Sequence, residues 1–258
     1  MLLDWGLKAM NSFMKKNVIP YILAGYPDLE ATEILLRQCH ALGLTFIELG
    51  IPFSDPSADG PVIQAAASIA SRTFDFMRLY QLLKKLKNEG LTFEFTMMTY
   101  ANPLYAAGTE KTLKLFSEVG VEGLLIPDIP FEERHFISML FSKKSPVKNV
   151  WMISENLSDD ELSVIVKHSH YYLYLVSYLG TTGKSVHSLD TLKKVINKVK
   201  AKKDIPVVVG FGIRSKADAD PILEFADGAI IGTQLINQLN SSTDKACLFL
   251  KTLSGIVP

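Results

Sequence analysis

The sequence predicts an α/β fold, a single (β/α)8 barrel of the TIM type spanning 1–258, and three observations carry that expectation. The length of 258 residues suits one such barrel. Eight short apolar runs alternate with longer amphipathic stretches from one end to the other, the rhythm of repeated βα units. An open doubly wound sheet would place a Gly-x-Gly-x-x-Gly turn after an early strand, and the chain has none.

Each element follows from local pattern. An N-terminal helix precedes a first strand at Val18–Leu23, which the Ala24-Gly-Tyr-Pro turn ends before a helix near Leu29–Leu42. The second strand, Phe46–Leu49, runs into a long proline-stiffened loop where Asp59-Gly-Pro marks a turn and a helix start, then a helix at Phe74–Asn88. The third, Phe93–Thr99, is punctuated by Asn102-Pro and followed by a helix at Thr109–Val119. The fourth and fifth, Gly123–Ile126 and Asn149–Ile153, lead to helices at Glu132–Lys143 and Asp159–Lys167. The sixth, Tyr172–Val176, opens a second long loop before a helix at Leu189–Lys203. The seventh, Val207–Val209, is continuously apolar, as suits a parallel strand buried on both faces. After a helix at Ser215–Phe225, the eighth strand, Ala229–Ile231, is followed by one last helix near Gln234–Leu253.

Composition narrows the function. With 48% hydrophobic residues the chain can bury a large core, so disorder is not expected. Lys plus Arg equals Asp plus Glu at 27 each, so no overall field recruits nucleic acid or a membrane surface, and any anion site must be local. Cys39 and Cys247 lie far apart in helical patterns and read as buried small hydrophobes in a reducing compartment. Asp4 and Lys8 interrupt the first apolar residues, unlike a signal peptide. No apolar run approaches the roughly 20 residues that cross a bilayer. The expected location is cytoplasmic.

In this fold chemistry gathers where strands deliver side chains to the βα loops. Glu48 interrupts an apolar strand just before Gly50, where partial desolvation raises a carboxyl pKa toward neutrality. The bland alternative is a Glu satisfied by a Lys or Arg. The loop that follows adds Asp55 and Asp59; Asp59 could be only a helix cap, yet two carboxylates at one mouth in unlike environments make an acid–base pair. The other pole is an anion cradle. Gly180-Thr-Thr-Gly-Lys, Gly210-Phe-Gly-Ile and Gly232-Thr put glycine turns after strands 6, 7 and 8, where barrels hold phosphate. The sixth loop is too short between its glycines for a Walker A turn. The five histidines form no ligand set, so no metal is expected. No lysine ends a strand, which argues against a Schiff-base aldolase.

Taken together, these segments resemble the tryptophan synthase alpha chain over nearly the whole length. The most specific stretch is Glu48-Leu-Gly-Ile-Pro-Phe-Ser-Asp-Pro-Ser-Ala-Asp-Gly-Pro-Val-Ile-Gln, supported by Tyr100-Ala-Asn-Pro, Leu125-Ile-Pro-Asp-Ile-Pro, Gly180-Thr-Thr-Gly and Gly210-Phe-Gly-Ile. The resemblance implies a lyase of tryptophan biosynthesis that cleaves indole-3-glycerol phosphate to indole and glyceraldehyde 3-phosphate, with no cofactor of its own. It implies Glu48 and Asp59 as catalytic residues, and Gly183, Phe211, Gly212, Gly232 and Thr233 as phosphate ligands. It further implies Tyr21, Leu125, Ile153 and Tyr174 as the indole pocket, and Thr182 in loop closure. Asp55, Pro56 and Asn102 would face a beta chain that carries pyridoxal phosphate and receives indole in an α2β2 tetramer.

The chain departs from the family's pattern at Tyr178, where an arginine is usual, and at Leu23, Ser57 and Ile69. These departures leave a second reading open at the level of sequence: an alpha-like subunit, weakened in catalysis, that mainly binds and activates the beta chain. A third, an unrelated phosphate-barrel isomerase or aldolase, would need a strand-end Lys or a Cys–Asp pair.

Overall fold

A computed structural model of the protein describes residues 17–140, 145–177, 189–210 and 212–255. Eight parallel strands close into a barrel in sequence order: β1 (Asn17–Leu23), β2 (Phe46–Gly50), β3 (Glu94–Met98), β4 (Val121–Leu125), β5 (Lys148–Ile153), β6 (Leu173–Val176), β7 (Val207–Gly210) and β8 (Gly228–Ile231). β8 pairs back onto β1, with Val18 opposite Ala229. Every expected strand is present, each end within two residues of its expected place. The expected N-terminal helix lies outside the described residues.

Helices α1 (Leu29–Ala41), α2 (Pro61–Ala70) and α3 (Phe76–Asn88) begin the outer ring. Asp28 starts α1 by accepting the Ala31 amide at 2.8 Å, and Asp75 starts α3 by accepting that of Arg78 at 2.9 Å. Each satisfies a donor that the first helical turn leaves orphaned. Leu79, Leu83 and Leu86 recur at helical spacing on α3 and are wholly or almost wholly buried.

Two expectations are corrected. Asn102-Pro does not punctuate a loop: it lies in the first turn of a short helix, α4 (Ala101–Ala107), ahead of α5 (Thr109–Ser117). Proline is tolerated there because first-turn amides have no intrahelical acceptor. The Ala101 amide is instead taken by Asp128, 27 residues away, a cap that no local pattern announces. The single last helix is in fact two, α10 (Thr233–Leu239) and α11 (Thr243–Ser254) in the numbering completed below. Asn240-Ser-Ser breaks it because Ser242 turns extended and accepts the Lys245 amide, the side-chain competition that disfavours serine inside helices.

The ring is completed by a 3-10 turn at Phe131–Glu133 leading into α6 (Arg134–Leu140), by α7 (Asp159–His168), α8 (Leu189–Lys202) and α9 (Lys216–Leu223). No helix among the described residues is long and apolar enough to cross a membrane. Cys39 and Cys247, distant in sequence, sit on α1 and α11, which pack together; both are free thiols, and burial pushes that of Cys39 well up.

α7 opens with a full capping box: Ser158 accepts the Glu161 amide while the Glu161 carboxylate takes the Ser158 amide at 2.8 Å. Ser158→Ala is therefore expected to cost about 1 kcal/mol. In a chain of this size that is a fall in melting temperature of roughly 2–4 °C. Calorimetry checks it; an unchanged melting temperature would show that the box contributes nothing.

Candidate active site

The barrel register places the acidic strand end in a ring of facing positions. Tyr21 lies opposite Glu48, and Glu48 opposite Thr96. Above them opens a cavity lined by Tyr21, Glu48, Asp59, Ile63, Met98 and Tyr174, together with Gly212, Ile213, Ile230, Gly232 and Thr233. The space between these residues that is free of protein atoms, open solvent at the mouth included, amounts to about 390 Å³. The acid pair and the glycine turns of the seventh and eighth loops thus share one chamber.

Glu48 is 2% exposed, and its Oε1 has no hydrogen-bond partner. Among the described residues no Lys or Arg forms an ion pair with it. Burial, reinforced by the nearby charge of Asp59, pushes its carboxyl up to about 8. A carboxyl in that state is neutral at pH 7 and able to give a proton.

Asp59 is not the cap of α2. That position belongs to Gly60, which makes no side-chain cap, and Pro61 supplies the first turn. The Asp59 side chain instead accepts a hydrogen bond from the Tyr100 hydroxyl at 2.8 Å. Its backbone carbonyl accepts from Gln64 Nε2 at 2.8 Å, and the same amide group reaches the Pro56 carbonyl at 3.3 Å. Gln64 on α2 therefore ties down the acidic loop from beneath. Burial raises Asp59 to about 6, with the Tyr100 bond acting in the opposite sense. Two carboxyls in one cavity are thus held about two pH units apart, one ionised and one protonated near neutrality.

Two tyrosines owe their places to glycines on the neighbouring strand. A Cβ at Gly50 would stand 2.2 Å from the Tyr21 hydroxyl oxygen, and one at Gly210 would stand 1.9 Å from that of Tyr174. Each ring therefore lies across the next strand in space that only glycine leaves open. Both phenols sit in the field of Glu48 and Asp59, and burial drives their pKa values well up, so they face the cavity as neutral groups.

Other expected residues fall as follows. Leu125 and Ile153 are buried at the ends of β4 and β5 but are not among the cavity-lining residues. Ile153 pairs with Leu175, one residue out of step with Tyr174, so the strand's alternation sets it on the other face. Asp55 and Asn102 are exposed, whereas Pro56 is buried, its carbonyl accepting the Asp59 amide at 3.1 Å. Gly183, Phe211, Thr182 and Tyr178 lie outside the described residues. Of the departures, Leu23 is buried away from the cavity lining, while Ser57 and Ile69 are exposed. Sequence reasoning passed over Tyr100, Met98 and Ile63; the signal for Tyr100 was its place at the end of the third strand.

Known proteins give the same assignment. The family model described as tryptophan synthase alpha chain matches residues 7–254. The tryptophan synthase alpha chain of Lachnospira eligens is 34% identical, covering 96% of this chain and 97% of its own length. That of Thermotoga petrophila is 36% identical, covering 88% and 92%. Among solved structures, the tryptophan synthase alpha subunit of Legionella pneumophila superposes with a TM-score of 0.83 at 29% identity, covering 98% of this chain and 97% of that one. A Mycobacterium tuberculosis tryptophan synthase chain in the aminoacrylate-bound form superposes with a TM-score of 0.81 at 26% identity, covering 98% and 97%. The barrel, the acid pair and these matches agree: the chain belongs to the tryptophan synthase alpha chain family.

Proposed function

We propose that this chain cleaves indole-3-glycerol phosphate to indole and glyceraldehyde 3-phosphate with Glu48 and Asp59 as its acid–base pair. One observation supports the assignment of roles: a buried glutamic acid whose Oε1 has no hydrogen-bond partner among the described residues shares a cavity with a less shifted aspartate and with Gly212 and Gly232.

The chemistry follows from the two protonation states. Protonated Glu48 gives its proton to indole C3, which turns the ring into a cationic leaving group. Asp59, ionised, faces the indole N–H and stabilises the positive charge. Glu48, now a carboxylate, removes the proton of the hydroxyl borne by the glycerol carbon that is bonded to the ring. The C–C bond then breaks, a carbonyl forms, and the bonding electrons return to the ring. Tyr21 and Tyr174 flank the ring, with Leu125 and Ile153 packed in the surrounding core. The phosphate sits on Gly212, Gly232 and Thr233, completed by Gly183 and Phe211, with Thr182 on the loop that closes. Backbone amides at such turns hold a phosphate without a dedicated lysine.

The proposed partner is a tryptophan synthase beta chain carrying pyridoxal phosphate, assembled as α2β2, with indole passed between subunits. Exposed Asp55 and Asn102, with Tyr105 on the same helix as Asn102 and 75% exposed, present the surface for it. The proposed location is cytoplasmic. No cofactor belongs to the alpha chain in this reading. Because none of the described departures lines the cavity, the lyase reading is favoured over that of a weakened subunit.

The pH dependence of indole release tests the roles. Activity requires Asp59 charged and Glu48 protonated, so kcat/KM for the free enzyme is expected to rise through about pH 6, as Asp59 ionises, and to fall through about pH 8, as Glu48 loses its proton. Asp59→Asn is expected to lower turnover by roughly 100- to 1000-fold. A flat profile, or an Asp59→Asn variant as fast as wild type, overturns the assignment.

A further inference from the structure

Tyr100 lies between β3 and α4, 3% exposed, and its ring packs against that of Phe53 at 5.4 Å. Its hydroxyl makes two hydrogen bonds of fixed polarity. The Ala58 amide, which can only donate, gives its hydrogen to the phenol oxygen at 2.9 Å. The single phenol proton is left for Asp59 Oδ2, at 2.8 Å. One residue thus grips two successive positions of the acidic loop from the end of the neighbouring strand β3, once through the backbone and once through the side chain.

We propose that Tyr100 is a positioning residue: it holds the Asp59 carboxylate in one orientation, with Oδ2 occupied and Oδ1 left for the ligand's N–H. The inference rests on the reading of Asp59 given above and extends it to a residue that touches neither reacting atom.

Charge bookkeeping around Asp59 shows why such a clamp matters. Glu48 from β2, Tyr21 from β1 and Tyr174 from β6 face the same chamber, and none of them is cationic. Asp128 bears on Tyr100 from the loop after β4 and is also acidic. Burial works against the Asp59 charge, and the Tyr100 hydrogen bond is the influence that opposes it. A hydrogen bond to a charged acceptor is among the stronger polar contacts, and its loss leaves a half-buried carboxylate under-solvated.

Tyr100→Phe keeps the ring and its packing against Phe53 and deletes only the hydroxyl. In the full-length chain the ¹³C-carboxyl signal of Asp59, assigned by its loss in Asp59→Asn, is expected to titrate at higher pH in Tyr100→Phe than in wild type. The acid limb of kcat/KM should move in the same direction. Turnover of indole-3-glycerol phosphate should fall about 10- to 100-fold, mostly in kcat, because the charge that Asp59 meets develops during the reaction. A second variant guards against simple damage to the fold: 3-fluorotyrosine in place of Tyr100 retains the proton and is expected to keep the wild-type titration and rate. An Asp59 titration and acid limb unmoved in Tyr100→Phe overturn the inference, as does a fluorotyrosine protein as impaired as Tyr100→Phe. The two readings fail separately. Full turnover by Asp59→Asn removes the role given to Asp59, whereas an unmoved titration removes the role given to Tyr100 and leaves Asp59 in place.

Discussion

Glu48→Gln is expected to abolish indole release while making the protein harder to melt, most of all at alkaline pH. The loss of activity follows from the role: glutamine fills the same space but can neither give nor take a proton, and general acid–base catalysis commonly supplies about 100- to 10,000-fold. The gain in stability follows from burial. The carboxyl is held near 8 in the folded chain against 4.5 for the free group. The folded state therefore binds this proton more tightly than the unfolded state does. The stability it confers is complete below about pH 4.5 and drains away as pH rises through about 8. Asp59, raised from 3.8 to about 6, adds a smaller loss of the same sign at lower pH. Glutamine never ionises, so the difference between variant and wild type grows across that window to a few kcal/mol, or roughly 5–10 °C in a chain of this size. Thermal melts of both proteins near pH 5 and near pH 8.5 measure it. Melting temperatures that run parallel across that range would mean the buried carboxyl is not held neutral. A group kept for its chemistry at a cost in stability is what an active site is expected to contain.

Gly50→Ala is expected to disable the site through a neighbour rather than through any lost contact of its own. The added methyl would stand 2.2 Å from the Tyr21 hydroxyl oxygen and 2.5 Å from the ring carbon that bears it, far inside any tolerated approach. Tyr21 has little room to yield, being 5% exposed. The ring must swing into the cavity or the two strands must part. Overpacking of this kind costs about 1–3 kcal/mol, and a displacement of about 1 Å in a catalytic shell can cost roughly 100-fold in rate. Adding Tyr21→Leu to Gly50→Ala removes the obstructing ring and is expected to recover most of the melting temperature, but not the activity, since the ring also walls the substrate chamber. A Gly50→Ala protein with wild-type melting and turnover would show that the ring is free to move aside.

Much of this was legible before any coordinates. Continuous apolar runs such as Val207-Val-Val and the alternation of short and long periods specify parallel strands and their helices, because burial on both faces leaves little choice of residue. Glu48 announced itself as a charge where the pattern demands an apolar side chain. What the sequence hid was set by contacts distant along the chain. Helix α4 is started by Asp128 from another loop, so its own residues carry no cap signal. The role of Asp59 was ambiguous from Asp-Gly-Pro alone, and only the approach of Tyr100 and the cap at Gly60 separate a site residue from a helix start. The phase of Ile153 depends on the register between β5 and β6, which a strand's own alternation does not reveal. Pro56 looked like loop surface, yet the bonds it takes from Asp59 and Gln64 fold it inward.

The two tyrosines lying over Gly50 and Gly210 also constrain how such a chain can change over generations. At either position a lineage that gains a side chain first meets a ring in the way, and one that trims the ring first leaves a hollow beside the glycine. Neither single step is neutral, so the partners are expected to drift only as linked replacements, with the phenol shrinking before its neighbour grows. The width of the chamber is thereby inherited as two locked pairs, and aligned relatives should show those positions changing together or not at all.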